Sequence, residues 1–262
     1  MSPFLPKGTF GLGRYTAQAS GSWANIGPMA LGIVCSVRDA MACTQAFLES
    51  IALYTSQPYQ VFLVDNGCSD ETIPWAEGFC RARGLALRIV PCPGDNLSRA
   101  WNRGIQEAIA CGCDYIAVVN NDTVVSPGWW DASQQHFQAD GHIGCAYPIA
   151  LAPRVGSALE TLRAGRCDFH RATPTPDQIL GCFMMFRTQV LQEIGLFDER
   201  FRIWFGDTDM ARRLTAAGYP PVVLANVAII HDGGRTCGLL GPRLRPLIKE
   251  DQQQWQEKYP AP

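Results

Sequence analysis

The sequence predicts an α/β protein built on one mostly parallel sheet flanked by helices. Short apolar runs recur at 31–37, 60–64, 85–90 and 115–119. Segments with apolar residues at helical spacing fill the gaps between them, the alternation that βαβ units produce. The chain has 262 residues, 47% of them hydrophobic, enough for one large core.

Residues 31–37 read as a first strand, apolar on both faces. Residues 44–54 read as a helix through Phe47, Leu48, Ile51 and Leu53. A second strand over 60–64 ends at Asp65, a helix follows over 71–84, and a third strand over 85–90. The helix predicted over 98–111 offers Ala100, Ile105, Ala108 and Ile109 for burial, and 115–119 is the fourth strand. Right-handed crossovers then bring the carboxyl ends of these strands to one edge. The second half is less regular. Residues 151–176 read as a long excursion, a loop that orders on binding. A short strand at 181–186, a helix at 188–194 stopped by Gly195, a helix at 207–217 stopped by Gly218 and Pro220, and a strand at 221–230 ending at His231 complete the body. Residues 1–28, rich in Gly, Ser and Pro, read as an N-terminal extension, 29–236 as the domain, and 237–262 as a tail with a helix after Pro246.

A formal net charge of -2 gives no nucleic-acid footprint. Eleven cysteines cannot all pair with one another, none forms a CxxC, and Cys35 and Cys182 lie in apolar runs. They read as reduced core residues of a cytoplasmic protein. No basic-then-apolar leader is expected at the N-terminus. No stretch approaches the roughly 20 apolar residues of a spanning helix.

Four polar constellations sit where a ligand crevice would form. Asn120-Asn121-Asp122-Thr123 ends the fourth strand, where a carboxylate beside two amides can hold a divalent cation against a phosphate; a solvent-facing turn is the plainer alternative. Asp65-Asn66-Gly67-Cys68-Ser69-Asp70 follows the second strand and can bind a base or ribose edge, or simply form a turn and a helix cap. Asn96 to Asn102 opens a helix and suits a nucleotide, though an ordinary Asn or Ser cap is the commoner use. Asp207 and Asp209 fall at a helix start that favours negative charge, and Asp209 stands four residues before Arg213, so the two can pair. In addition, His231 closes the last strand as a metal ligand or as a loop residue.

The ordered set resembles the family 2 glycosyltransferases of the GT-A (Rossmann-like) fold, in particular the rhamnosyltransferase-like branch, over about residues 29–236. Asp65 to Asp70 is similar to that branch's Asp-Asn-x-Ser-x-Asp, with Ser69 one place later. Ala100-Trp101-Asn102-Arg103-Gly104 matches its Ala-x-Asn-x-Gly, and Asn120 to Thr123 its metal motif, followed by Pro127-Gly128-Trp129. Gly181-Cys182-Phe183-Met184 and Ile194 to Glu199 match the acceptor-side segment, Phe205 to Tyr219 the stretch carrying the base, and His231 to Gly234 the closing His-x-x-Gly. The usual Glu before the catalytic Asp is Gly206 here.

The resemblance implies an inverting transfer of a sugar from a UDP- or dTDP-sugar to a hydroxyl of a carbohydrate or glycoconjugate acceptor. It implies Asp207 as the base, and Asp122 and His231 as ligands of a divalent cation, Mn²⁺ or Mg²⁺. Asp65, Asn66, Asn102 and Asn121 would seat the nucleotide. Gly181, Trp204, Asp209 and Arg213 would lie on the acceptor side or behind it. No transmembrane segment and no nucleic-acid partner are expected; peripheral contact with a membrane surface stays open. Two rivals remain. A nucleotidyltransferase would need a Gly-rich loop after the first strand, and Val37-Arg38-Asp39-Ala40 has none. A catalytically silent nucleotide- or sugar-binding domain is the alternative that is not an enzyme.

Overall fold

A computed structural model describes residues 30–55, 58–151 and 179–260. The N-terminal stretch 1–28 and almost all of the excursion at 151–176 lie outside the described residues. The order is β1 (Leu31–Val37), α1 (Met41–Tyr54), β2 (Tyr59–Asp65), α2 (Thr72–Arg83), β3 (Leu87–Pro91), α3 (Leu97–Ala110), β4 (Tyr115–Asn120), β5 (Thr123–Val125), α4 (Trp129–Ala139), β6 (Cys145–Leu151), β7 (Phe183–Arg187), α5 (Thr188–Ile194), α6 (Gly206–Ala216), β8 (Val222–His231), α7 (Arg235–Gly238), a 3₁₀ turn (Gly241–Arg243) and α8 (Leu244–Lys258).

One sheet runs β3-β2-β1-β4-β7-β6-β8-β5. Strands β1 to β4 are parallel to one another, with Val37 opposite Asp65 and Ser36 opposite Asn120. The chain order reverses between β1 and β4, the kind of switch point at which α/β sheets bind ligands. β7 runs antiparallel to β4 and β6, β8 is parallel to β6, and β5 is antiparallel to β8. Alternation along β1 feeds two cores. Ile33, Cys35 and Val37 pack with Phe47, Leu48 and Ile51 of α1, while Val34 packs with Ala100, Trp101 and Ile105 of α3. Each such large side chain contributes about 1.5–3 kcal/mol by leaving water. Gly104 is a packing requirement: a Cβ there would run into Val34 and Val64.

The sequence reading misses β5, α4 and β6, as well as the short helix α7 and the 3₁₀ turn after it. β5 has three residues, too few for a period, and α4 carries two tryptophans among glutamines. β6 contains Pro148, which argues against a central strand, and the β6–β8 register shifts between Pro148 and Ile149. The parallel alternation of the first half therefore continues into a mixed, still mostly parallel sheet. Among the described residues no helix is long and apolar enough to cross a membrane, and each described cysteine is free.

Candidate active site

The pairing of short β5 with the end of β8 sets Thr123 opposite His231 and brings the loop after β4 against the last strand. Asp122 is buried, and its Oδ1 lies 3.2 Å from His231 Nε2. The two atoms are not aligned for a hydrogen bond. Both are buried, and neither has a hydrogen-bond partner among the described residues; the same holds for Oδ1 of neighbouring Asp232. Asp122 and His231 are within ion-pair reach of each other, and a further ligand between them would complete their hydrogen-bonding capacity. Asp122 Oδ2 accepts from the Arg235 backbone N–H at 3.3 Å. Burial works against the charged forms, but the imidazole and that N–H hold the Asp122 carboxyl below its usual range. Burial likewise opposes the His231 imidazolium, yet Asp122 and Cys182 raise it to about 10. Once the imidazole gives up its proton, a carboxylate oxygen and an imidazole nitrogen converging in this way fit a divalent cation.

Asp207 stands in the first turn of α6, just after Phe205, a non-glycine residue at φ 66. Its Oδ1 accepts from the Thr208 N–H at 2.8 Å and the Thr208 hydroxyl at 3.3 Å. Oδ2 faces Gly181, where any Cβ would strike the carboxylate. Burial pushes the Asp207 carboxyl upward, against the pull of the Thr208 bonds. Gly181 and Cys182 thus link the two groups. Gly181 touches Asp207; the Cys182 carbonyl accepts from the Asn120 N–H at 3.0 Å, and the Cys182 side chain acts on His231. The Gly206 departure also has a local cause, since a Cβ there would lie 2.6 Å from Ser98 Oγ.

Asp65 and Asn66 end β2 beside this edge. Asp65 Oδ1 accepts from Gly67 and Cys68 N–H groups, closing a turn, and the buried Asn66 Oδ1 has no hydrogen-bond partner among the described residues. Asp39, missed by the sequence reading, follows β1 at φ 49 and accepts from the Ser69 and Asp70 N–H groups at 2.5 and 3.0 Å. Those bonds, Ser69 first, hold its carboxyl low. Asp39, Cys68 and Asp70 form a tight group of potential ligand atoms. Asp70 is used in the same way, by the Met41 and Thr72 N–H groups, so both carboxylates serve the turns.

The two other residues expected at the nucleotide have partners within the protein. The Asn102 side chain donates to the Phe197 carbonyl at 2.8 Å and Glu199 Oε1 at 3.0 Å, and accepts from the Phe197 N–H at 2.9 Å. The Asn121 Nδ2 donates to Thr44 Oγ1 at 3.1 Å. Both amides are buried, and these bonds tie α3 to the 197–199 segment and the end of β4 to α1. Asn96 is a helix cap, accepting from the Arg99 N–H. Asp209 is buried beneath α6, paired with Arg213 at 2.8 Å and bonded to Lys258 and Tyr259 of the C-terminal end. Trp204 is half exposed, and its backbone N–H donates to Asp251. Asp251, Lys258 and Tyr259 carried no local signal, because their partners lie about fifty residues away.

The model of the family described as "Glycosyl transferase family 2" matches residues 33–195. That span holds the ends of β1, β2 and β4 and Gly181, and stops short of Asp207 and His231. An N-acetylglucosaminyl-diphospho-decaprenol L-rhamnosyltransferase of Mycobacterium tuberculosis is 24% identical over 229 residues, 74% of this chain and 73% of that protein. The O-antigen biosynthesis protein RfbC of Myxococcus xanthus is 24% identical over 225 residues, 77% of this chain but 17% of its own length. Among solved structures, the mannosyltransferase PcManGT from Pyrobaculum calidifontis, in complex with GDP-Man and Mn²⁺, superposes with a TM-score of 0.63 at 16% identity, over 86% of this chain and 64% of that one. GalNAc-T7 with UDP, GalNAc and Mn²⁺ gives 0.62 at 14% identity, over 79% and 44%. This chain thus spans less than two thirds of both structures.

Proposed function

This chain belongs to glycosyl transferase family 2, and from that membership we propose that it moves a sugar, with inversion, from a UDP- or dTDP-sugar to a hydroxyl of a glycoconjugate acceptor. The observation that carries the proposal is the buried pair Asp122 Oδ1 and His231 Nε2, 3.2 Å apart and otherwise unpartnered, at the carboxyl end of β4. Asp122 and His231 would hold a divalent cation, which when bound offsets negative charge on a departing diphosphate. The mycobacterial relative is named for rhamnosyl transfer to a diphospholipid-linked sugar, which puts deoxyhexose donors and glycoconjugate acceptors first for this chain.

Asp207 is the base in this reading. Its carboxylate takes the proton of the acceptor hydroxyl as that oxygen bonds to the anomeric carbon. The bond from that carbon to the diphosphate oxygen breaks on the opposite face, and its electron pair leaves with the diphosphate. A buried carboxyl with a raised pKa is a better proton acceptor than a solvated one. Gly181 leaves Asp207 its space, and exposed Trp204 offers an aromatic face to a sugar. Asp65 and Asn66 bind the base and ribose edge, while Asn102 and Asn121 hold the wall behind. A silent binding domain would have no use for a desolvated carboxylate cleared by a glycine.

Thermal shift against a panel of UDP- and dTDP-sugars, with and without Mn²⁺, tests the assignment. A donor at 100 times its Kd should stabilise the fold by about 2.7 kcal/mol. Asp122→Ala should abolish the metal-dependent part of that shift. A metal-dependent shift that survives in Asp122→Ala would remove Asp122 from the site.

A further inference from the structure

We propose that the C-terminal helix is part of the catalytic apparatus, with Asp251 as the positioning residue that aims Trp204 and Asp207. Asp251 lies in α8, about fifty residues beyond the turn it serves, and its side chain is fully buried. Its Oδ1 accepts from the Arg202 N–H at 2.8 Å, and its Oδ2 from the N–H groups of Ile203 and Trp204 at 2.8 and 2.7 Å. Three consecutive backbone amides therefore converge on one carboxylate. They belong to the turn that delivers the chain into α6.

That turn holds no regular hydrogen-bond ladder of its own, and it ends in a strained residue, Phe205 at φ 66. A left-handed non-glycine residue persists only where its surroundings over-determine it. Here α8 supplies those surroundings. Trp255 stacks on Phe205 with ring centroids 5.1 Å apart and 23° between planes, and packs against Phe201 at 5.9 Å. On the far side of Asp207, Lys258 and Tyr259 bond to Asp209. The helix thus grips residues 202–205 before the base and residue 209 after it, and Asp207 is bracketed. An ordinary helix-to-body contact would bury apolar surface, as Leu247 does. A buried carboxylate spent on three successive amides instead specifies the path of the chain.

The catalytic consequence rests on the glycosyl-transfer reading above. Two measurements separate its failure from the failure of this inference. Hydrogen exchange needs no donor: in Asp251→Asn, whose amide cannot accept at both former oxygens, the amides of 202–204 should exchange at least tenfold faster, with the β1–β4 amides unchanged. With dTDP-rhamnose and Mn²⁺, turnover of Asp251→Asn should fall about tenfold or more while the donor KM stays within twofold, since misplacing a reacting group by about an ångström costs on this scale. Ile51→Val, which trims the core beneath β1 in a cluster that holds no residue of α6 or α8, should keep its turnover. Unchanged exchange at 202–204 would overturn the inference. So would a loosened turn with normal turnover, or an equal loss of turnover in Ile51→Val. A wild-type protein inactive on every UDP- and dTDP-sugar would sink the proposed function and leave the exchange result to judge Asp251.

Discussion

Asp207 and Asp209 stand two residues apart in one helical turn, and the structure gives them opposite surroundings. Asp209 is buried with Arg213, Lys258 and Tyr259 around it; Asp207 meets its neighbour Thr208 and the bare backbone of Gly181. Burial raises the Asp207 pKa. In the folded state it therefore binds a proton at a pH where the unfolded chain has lost it. Its ionisation thus costs stability, and that cost sets in as pH rises above the ordinary Asp value of about 3.9. Asp207→Asn keeps the Thr208 bonds and removes the charge. We expect transfer to drop about a hundredfold or more, the scale for a lost general base. Donor KM should hold and the melting temperature should not fall. The acid limb of the wild-type rate profile should lie above the usual carboxylate range and vanish in the variant. Steady-state kinetics over a range of about pH 4–8 checks this, and near wild-type transfer by Asp207→Asn would exchange the two roles.

At the scale of elements, α6 is held as much by distant segments of the chain as by its own apolar pattern. Arg213 reaches the Ile194, Gly195 and Leu196 carbonyls as well as Asp209, tying the helix to the end of α5. Asp209→Ala would strand Arg213, Lys258 and the Tyr259 hydroxyl around an empty site. Removing one member of a buried charge group costs about 3–5 kcal/mol, and the partial exposure of Arg213 and Lys258 moves the expectation to the lower end. Urea unfolding should show that loss. An Asp209→Ala protein of wild-type stability would mean that α8 is not docked as described. The same logic covers α3, whose start is stitched to 197–201 by Asn96, Ser98 and Asn102. These polar residues mark a helix start in the sequence, and what they bond lies about a hundred residues on.

Across the whole molecule, the C-terminal end closes the fold electrostatically. Lys258 bridges Asp198 at 2.7 Å and also reaches Asp209. Burial opposes the Asp198 charge, but Arg200 and Lys258 outweigh it and depress its pKa strongly. A depressed carboxylate stabilises the fold above its unfolded pKa of about 3.9, and the contribution disappears as pH falls through the folded value. Stability should therefore fall as pH drops from about 5 to about 3. Lys258→Met, by removing one of the two charges, should make that slope shallower while lowering stability near neutral pH. Lys258 itself is raised, so its share is present below its unfolded value of about 10.4 and is lost above it. Urea midpoints at steps between about pH 3 and pH 7 test the Asp198 limb, and steps up to about pH 11 the Lys258 share; parallel curves for the two proteins at low pH would show that the bridge does not carry the acid limb.

The amino-acid sequence by itself determined the features that depend on local order. Continuous apolar runs at 31–37, 60–64 and 115–119 define strands buried on both faces, and their polar ends mark Asp65, Asn66 and Asp122 at one edge. Only the tertiary structure decided what each polar residue bonds to. Asn102 and Asn121 carry the same groups as nucleotide-binding amides, yet Phe197, Glu199 and Thr44 take their hydrogen bonds. The pairing of Asp122 with His231 needed the three-residue β5, the space beside Asp207 needed a bare Gly181, and the 202–204 amides needed a carboxylate from the C-terminal helix. Strand and helix periods are written within a few residues. A buried polar atom is satisfied by whatever the fold brings within hydrogen-bond reach, and that partner has no fixed distance along the chain.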